Sequence, residues 1–145
     1  MALQSKLQKL QNRAARVITG ETWDTRSEDA LRKLNWLPLT QIRLIDTLLF
    51  MRKVLKNEVP TSISDQFQIS DNEQYNLRSN CTMMKLEKPR TNALKRSFNY
   101  HAAKTWNKLP TDLKDLKISD KEFKEKVNAF IRENISVLNE FSNYQ

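Results

Sequence analysis

The chain contains a single glycine, Gly20, in 145 residues. Glycine enters left-handed backbone conformations without steric cost, so tight hairpins and phosphate-cradling loops depend on it. Glycine-rich phosphate loops, dinucleotide fingerprints and nucleophile elbows are therefore excluded. Asn-Gly and Asp-Gly hairpin turns are missing as well, which leans the fold towards helices. The length fits one domain spanning residues 1–145, and neither an internal repeat nor a low-complexity linker divides it.

Other classes fall to simple counts. No run of about 18 apolar residues is present to span a membrane. The N-terminus, Met1-Ala2-Leu3-Gln4-Ser5-Lys6, lacks the apolar core and cleavage site of a signal peptide. One cysteine, Cys81, rules out an internal disulfide, and with one histidine, His101, it cannot build a zinc site. These features fit an intracellular, reducing setting, in either nucleus or cytoplasm.

The net charge of +8 is concentrated in two blocks. Residues 1–20 carry Lys6, Lys9, Arg13 and Arg16 with no acid. Residues 74–110 carry Arg78, Lys85, Lys88, Arg90, Lys95, Arg96, Lys104 and Lys108 against Glu87 alone. The remaining segments are close to neutral. Concentrated positive charge is the footprint expected for a polyanionic partner.

Apolar periodicity predicts an all-α domain of four or five helices with an irregular basic loop around residues 68–91. Leu3, Leu7, Leu10, Ala14, Val17 and Ile18 form one stripe of a helix over 3–19, with Gly20 as its C-cap. Nothing before Leu3 caps this helix, as if a longer one had been cut. Thr25-Arg26-Ser27-Glu28 reads as a capping box for a short helix holding Ala30, Leu31 and Leu34. Thr40 is placed to cap a central helix running to about Asn57 and closed by Pro60, with Leu44, Leu48, Met51 and Leu55 in one row widened by Ile45 and Leu49. One helical turn over 61–67 follows. Alternation at Tyr75/Leu77 and Met84/Leu86 fits a short two-stranded ribbon. Helix resumes near Asn92, where Leu94, Phe98, Ala102, Trp106 and Leu109 share a face. Ser119-Asp120-Lys121-Glu122 opens a last helix with Phe123, Val127, Phe130, Ile131, Leu138 and Phe141 facing inwards.

Several segments, taken in order, resemble the C-terminal tail of reverse transcriptases from LINE-type (non-LTR) retrotransposons of the jockey and CR1/L2-like groups. They are Leu10-Gln11-Asn12-Arg13-Ala14-Ala15-Arg16-Val17-Ile18, Leu34-Asn35-Trp36-Leu37-Pro38-Leu39 and Tyr75-Asn76-Leu77-Arg78-Ser79. Pro89-Arg90-Thr91, Ser97-Phe98-Asn99-Tyr100, Trp106-Asn107-Lys108-Leu109-Pro110 and Glu122-Phe123-Lys124-Glu125-Lys126 continue the match over nearly the whole chain. The resemblance implies a region downstream of the polymerase thumb, without the upstream endonuclease and polymerase. The chain has no Asp-Asp pair to hold metal at a primer end, so no catalytic residue carries over and no cofactor is implied. It departs from the family pattern at Leu86-Glu87-Lys88-Pro89, where a proline or neutral residue is expected at 87.

Three groups of residues are candidates for binding RNA or DNA, each with an ordinary structural reading beside it. Arg96, Tyr100 and Lys104 fall in one row at helical spacing, able to grip phosphate and stack a base, or simply to form a solvated face. Lys6, Lys9, Arg13 and Arg16 either track a nucleic-acid backbone or flank a core stripe; a membrane surface suits them least, because the stripe lacks aromatics. Arg78, Lys85, Lys88 and Arg90 lie in the irregular loop. Trp36 and Trp106 read as core anchors, His101 as an edge residue rather than a general base, and Cys81 as a thiol with basic neighbours. The function expected is non-catalytic RNA or DNA binding of low sequence specificity by a remnant of a reverse transcriptase. The alternatives are a helical interaction module that buttresses the polymerase or self-associates, and a translated inactive fossil.

Overall fold

The computed structural model describes residues 3–70 and 83–133. It is all-α: α1 (Leu3–Thr19), α2 (Ser27–Lys33), α3 (Leu39–Leu55), α4 (Thr61–Ser64), α5 (Asn92–Lys95), α6 (Phe98–Asn107) and α7 (Asp120–Glu133), with a 3-10 turn at Thr111–Lys114. The chain groups into two compact units, Met1–Leu44 and Ile45–Tyr144, and the boundary falls within α3.

The shortage of glycine is met by asparagine. Gly20 ends α1 at φ +66°, while the Gly20 and Glu21 N–H groups bond Val17 O and Arg16 O in a Schellman motif. A Cβ at Gly20 would meet nothing within 4 Å, so backbone conformation alone selects glycine there. Asn35 at φ 54° ends α2 in the same way, with Asn35 and Trp36 N–H groups on Arg32 O and Leu31 O. Asn57 at φ 57° ends α3, with Asn57 and Glu58 N–H groups on Val54 O and Lys53 O. Asparagine tolerates the left-handed region better than other side chains. Each helix thus stops before the downstream prolines, Pro38 and Pro60, act.

In the first unit, α1 packs on α2 around Ala15, Ala30 and Leu31, with Leu34 partly buried beside them. The face of α1 that docks is its polar one. Gln8 accepts the Leu39 N–H at 2.9 Å and so caps α3, the role expected of Thr40. Gln11 Nε2 donates to Leu37 O at 2.9 Å. The expected apolar stripe faces solvent: Leu3 is 72%, Leu10 62% and Val17 75% exposed. The capping box at Thr25 is not formed. Arg26 is the N-cap of α2 without a side-chain bond, because Thr25 Oγ1 donates to Glu21 and Ser27 Oγ accepts from Arg16. Trp36 is 40% exposed rather than a core anchor; the fold uses its backbone N–H to close α2.

The second unit is built on Leu48, Met51 and Val54 of α3, Ala102, Ala103 and Trp106 of α6, and Phe123, Val127 and Ile131 of α7, all buried. Trp106 and Phe123 stack with ring centroids 6.1 Å apart. Ser119 caps α7 by accepting the Glu122 N–H at 3.2 Å, as its capping box predicts. Leu138, Phe141, Tyr75 and Leu77 lie outside the described residues. The extended pairing seen among the described residues is a single antiparallel bridge, Ile69 to Met84. Asn107 closes the far side of that bridge. Its amide accepts the Met84 N–H and donates to Met84 O, both at 2.8 Å, occupying groups that another strand would use.

Two buried cations fasten loops. Arg52 is fully buried: its guanidinium donates to Asp115 O, Leu116 O, Ile118 O and the Asp120 carboxylate, and lies 4.7 Å from the Phe123 ring centroid. Lys114 Nζ donates to Asn107 O at 3.1 Å, at the C-terminus of α6, where a cation suits the helix dipole. Burial pushes its pKa down.

Candidate nucleic-acid interface

The segment from Asn92 to Lys108 is two helices, not one. Thr91 Oγ1 accepts the Leu94 N–H at 3.2 Å and Ser97 Oγ accepts the Tyr100 N–H at 3.4 Å, so each hydroxyl starts its own helix. Arg96 is the C-cap of α5, outside the helix that carries Tyr100 and Lys104. The expected helical row of Arg96, Tyr100 and Lys104 is therefore broken after its first member. Leu94, expected on the inner face, is 41% exposed and belongs to α5 rather than α6; Phe98, the first residue of α6, is 50% exposed and packs its ring edge-on against Phe50, centroids 5.4 Å apart.

A groove of about 280 Å³, lined in part by Leu94 and Ser97 on either side of the α5–α6 break, lies in the second unit. Gln66 and Gln68 form one wall, Lys85 and Glu87 another, and Asn99 and Tyr100 of α6 the third. Asn99 Nδ2 donates to Gln66 Oε1 at 2.7 Å, and Lys85 Nζ to Gln68 Oε1 at 3.3 Å, so the rim is hydrogen-bonded and the walls are held in place. Tyr100 is half-buried and contributes to the lining. Lys85, Lys88, Arg90, Lys95 and Arg96 are all exposed along the segments that border this groove, with Glu87 the one acid among them.

The candidates thus separate. The structure brings Lys85 and Tyr100 to one groove and leaves Lys88, Arg90 and Arg96 exposed in the same stretch of chain. Lys104 is half-buried on α6, and Arg78 lies outside the described residues, as does Cys81. Lys6, Lys9 and Arg13 are exposed on α1 in the first unit. Arg16 is structural: its guanidinium donates to Thr25 O at 2.9 Å and Ser27 Oγ at 2.8 Å, fixing the α1–α2 connection. His101 is half-buried; desolvation first, and the neighbouring Lys104 second, lower its pKa, so it is neutral at pH 7 and adds no charge.

Sequence reasoning singled out neither Lys95 nor the amides of Gln66, Gln68 and Asn99. Lys95 was visible in the charge distribution. The amides had no signal, since loop glutamines follow no period. Among the described residues no group of three or more His, Cys, Asp or Glu could hold a metal ion, and no helix is long and apolar enough to cross a membrane. No family model, curated protein or solved structure matches the chain.

Proposed function

We propose that this chain is a non-catalytic nucleic-acid-binding domain that holds RNA or DNA through phosphate contacts with little sequence preference, within the cell. One observation carries the reading: Lys85 and Tyr100 line one groove, and Lys88, Arg90, Lys95 and Arg96 are exposed in the same stretch of chain, which holds Glu87 as its one acid. Exposed amines and guanidinium groups neutralise phosphates and release counterions, while an aromatic wall accepts an unstacked base. The resemblance to the tail of LINE-type reverse transcriptases supports the same reading, in which such a tail keeps template or target near the polymerase.

Fluorescence-anisotropy titration with labelled single-stranded RNA, single-stranded DNA and duplex DNA at two salt concentrations tests it. Binding should weaken steeply with salt. Replacing Arg90 and Arg96 together by glutamine removes two contacts, so the log–log salt slope on single strands should flatten by about 1.4. Unchanged affinity and slope would remove this patch from the reading, and a folded sample that binds nothing at low salt would overturn it.

A further inference from the structure

Helix α1 is held to the first unit by the face that looks least suited to holding it. Ala15 is its one fully buried residue, and Gln8, Gln11 and Arg16 supply hydrogen bonds to Leu39, Leu37, Thr25 and Ser27. Leu3, Leu7, Leu10, Ala14 and Val17 remain exposed, with Ile18 widening the strip at its end. Their spacing of four, three, four and three is that of alternating seam positions in a coiled coil. Over 17 residues the strip is about 25 Å long, enough for two heptads of knobs.

The charges beside this strip decide what can lie on it. Lys6 and Arg13 each directly precede a seam residue, Leu7 and Ala14, and so occupy equivalent flanking positions one heptad apart. Both are exposed, and α1 contains no acid. An antiparallel second copy would set Lys6 of one chain against Arg13 of the other, and like charges facing across a seam are destabilising. A parallel copy would set them against Gln11 and Ile18, which offer no carboxylate. A nucleic-acid backbone would meet the cations but leave the leucines wet. We propose that α1 is a docking surface for an amphipathic helix of another protein, apolar at its seam positions and bearing Glu or Asp at the flanking positions that face Lys6 and Arg13. This surface lies in the first unit and stands or falls independently of the groove.

The test uses the full chain and two designed peptides of about four heptads, with identical Leu/Ile seams and either Glu or Lys at every flanking position. Isothermal titration calorimetry should show the acidic peptide binding at least about tenfold more tightly than the basic one. Lys6→Glu with Arg13→Glu should invert that preference, and Leu10→Glu should abolish binding of the acidic peptide while the circular dichroism of the chain stays unchanged. Equal binding of both peptides, or binding that survives Leu10→Glu, would overturn the proposal. So would a dimer in sedimentation equilibrium that Leu10→Glu dissociates, which would make a second copy the occupant. Binding to vesicles of mixed phosphatidylserine and phosphatidylcholine without binding to the acidic peptide would assign the strip to a lipid surface instead.

Discussion

Helices α1 and α7 carry the same kind of amphipathic pattern and use it in opposite ways. Phe123, Val127 and Ile131 of α7 are 0%, 0% and 1% exposed, so its apolar face is its docked face. The apolar face of α1 is solvated, and an alanine flanked by glutamines docks in its place. Periodicity reports that a helix has an apolar side, not which side its neighbours need. In the first unit the need is for close approach and hydrogen bonds. Ala15 and Ala30, both 0% exposed, allow α1 and α2 to meet closely, and the N-terminus of α3 requires an acceptor that Gln8 provides.

The sharpest test of the contrast removes volume from the docked face of α7. Phe123 stacks on Trp106 and lies against the Arg52 guanidinium, so Phe123→Ala loses both contacts and leaves a cavity. It should cost about 3–5 kcal/mol in urea-denaturation measurements. A cost under about 1 kcal/mol would mean that the site collapses freely, and α7 would then be no better anchored than the exposed side of α1.

A smaller effect is expected from the polar anchor beside it. Hydrogen bonds first from Lys56 and then from Arg52 hold the Asp120 carboxyl below the ordinary aspartate value of 3.8. A depressed folded-state pKa contributes stability that is present above the unfolded value and is lost as pH falls through the folded value. Acid should therefore erode the stability of the second unit from near pH 3.8 downwards. Asp120→Asn should flatten that part of a stability-against-pH profile. A profile identical in the variant would place the acid sensitivity elsewhere.

The same contrast marks what could be seen in the sequence. The α7 start at Ser119, the burial of Phe123, Val127 and Ile131 on its inner face, and the broad stripe of α3 followed from capping and periodicity, because those signals act within a few residues. The docked face of α1 did not, since its hydrogen bonds reach Leu37 and Leu39, 26 and 31 residues away. The helix end at Asn35 was masked by Pro38, whereas the end of α3 was placed at about Asn57 but credited to Pro60, although asparagine in a chain with one glycine is the natural substitute. The break at Ser97 had a local signal in two capping hydroxyls, Thr91 and Ser97, which the apolar spacing of Leu94 and Phe98 overrode. For the candidate site, charge was legible and shape was not: the basic block can be counted along the chain, while the groove depends on amides from residues with no pattern.

The smallest expected effect comes from α1 itself, where an exposed leucine departs from the ordinary rule that apolar residues stabilise. Leu10→Ala removes apolar volume from an exposed helix position and substitutes a better helix former. Its effect on stability should lie within about 0.5 kcal/mol of zero. Ala15→Leu adds apolar volume where α1 and α2 already touch, and overpacking there should cost about 1–3 kcal/mol. Urea midpoints of the two variants, measured at low and high protein concentration, separate the readings. If Leu10→Ala costs about 2 kcal/mol or more, as at a buried leucine, the strip is covered in solution and the contrast between the two helices fails. If that cost appears only at high protein concentration, the cover is a second copy. If Ala15→Leu is the damaging change at both concentrations, the polar side of α1 is its structural side and the leucines are left for a partner.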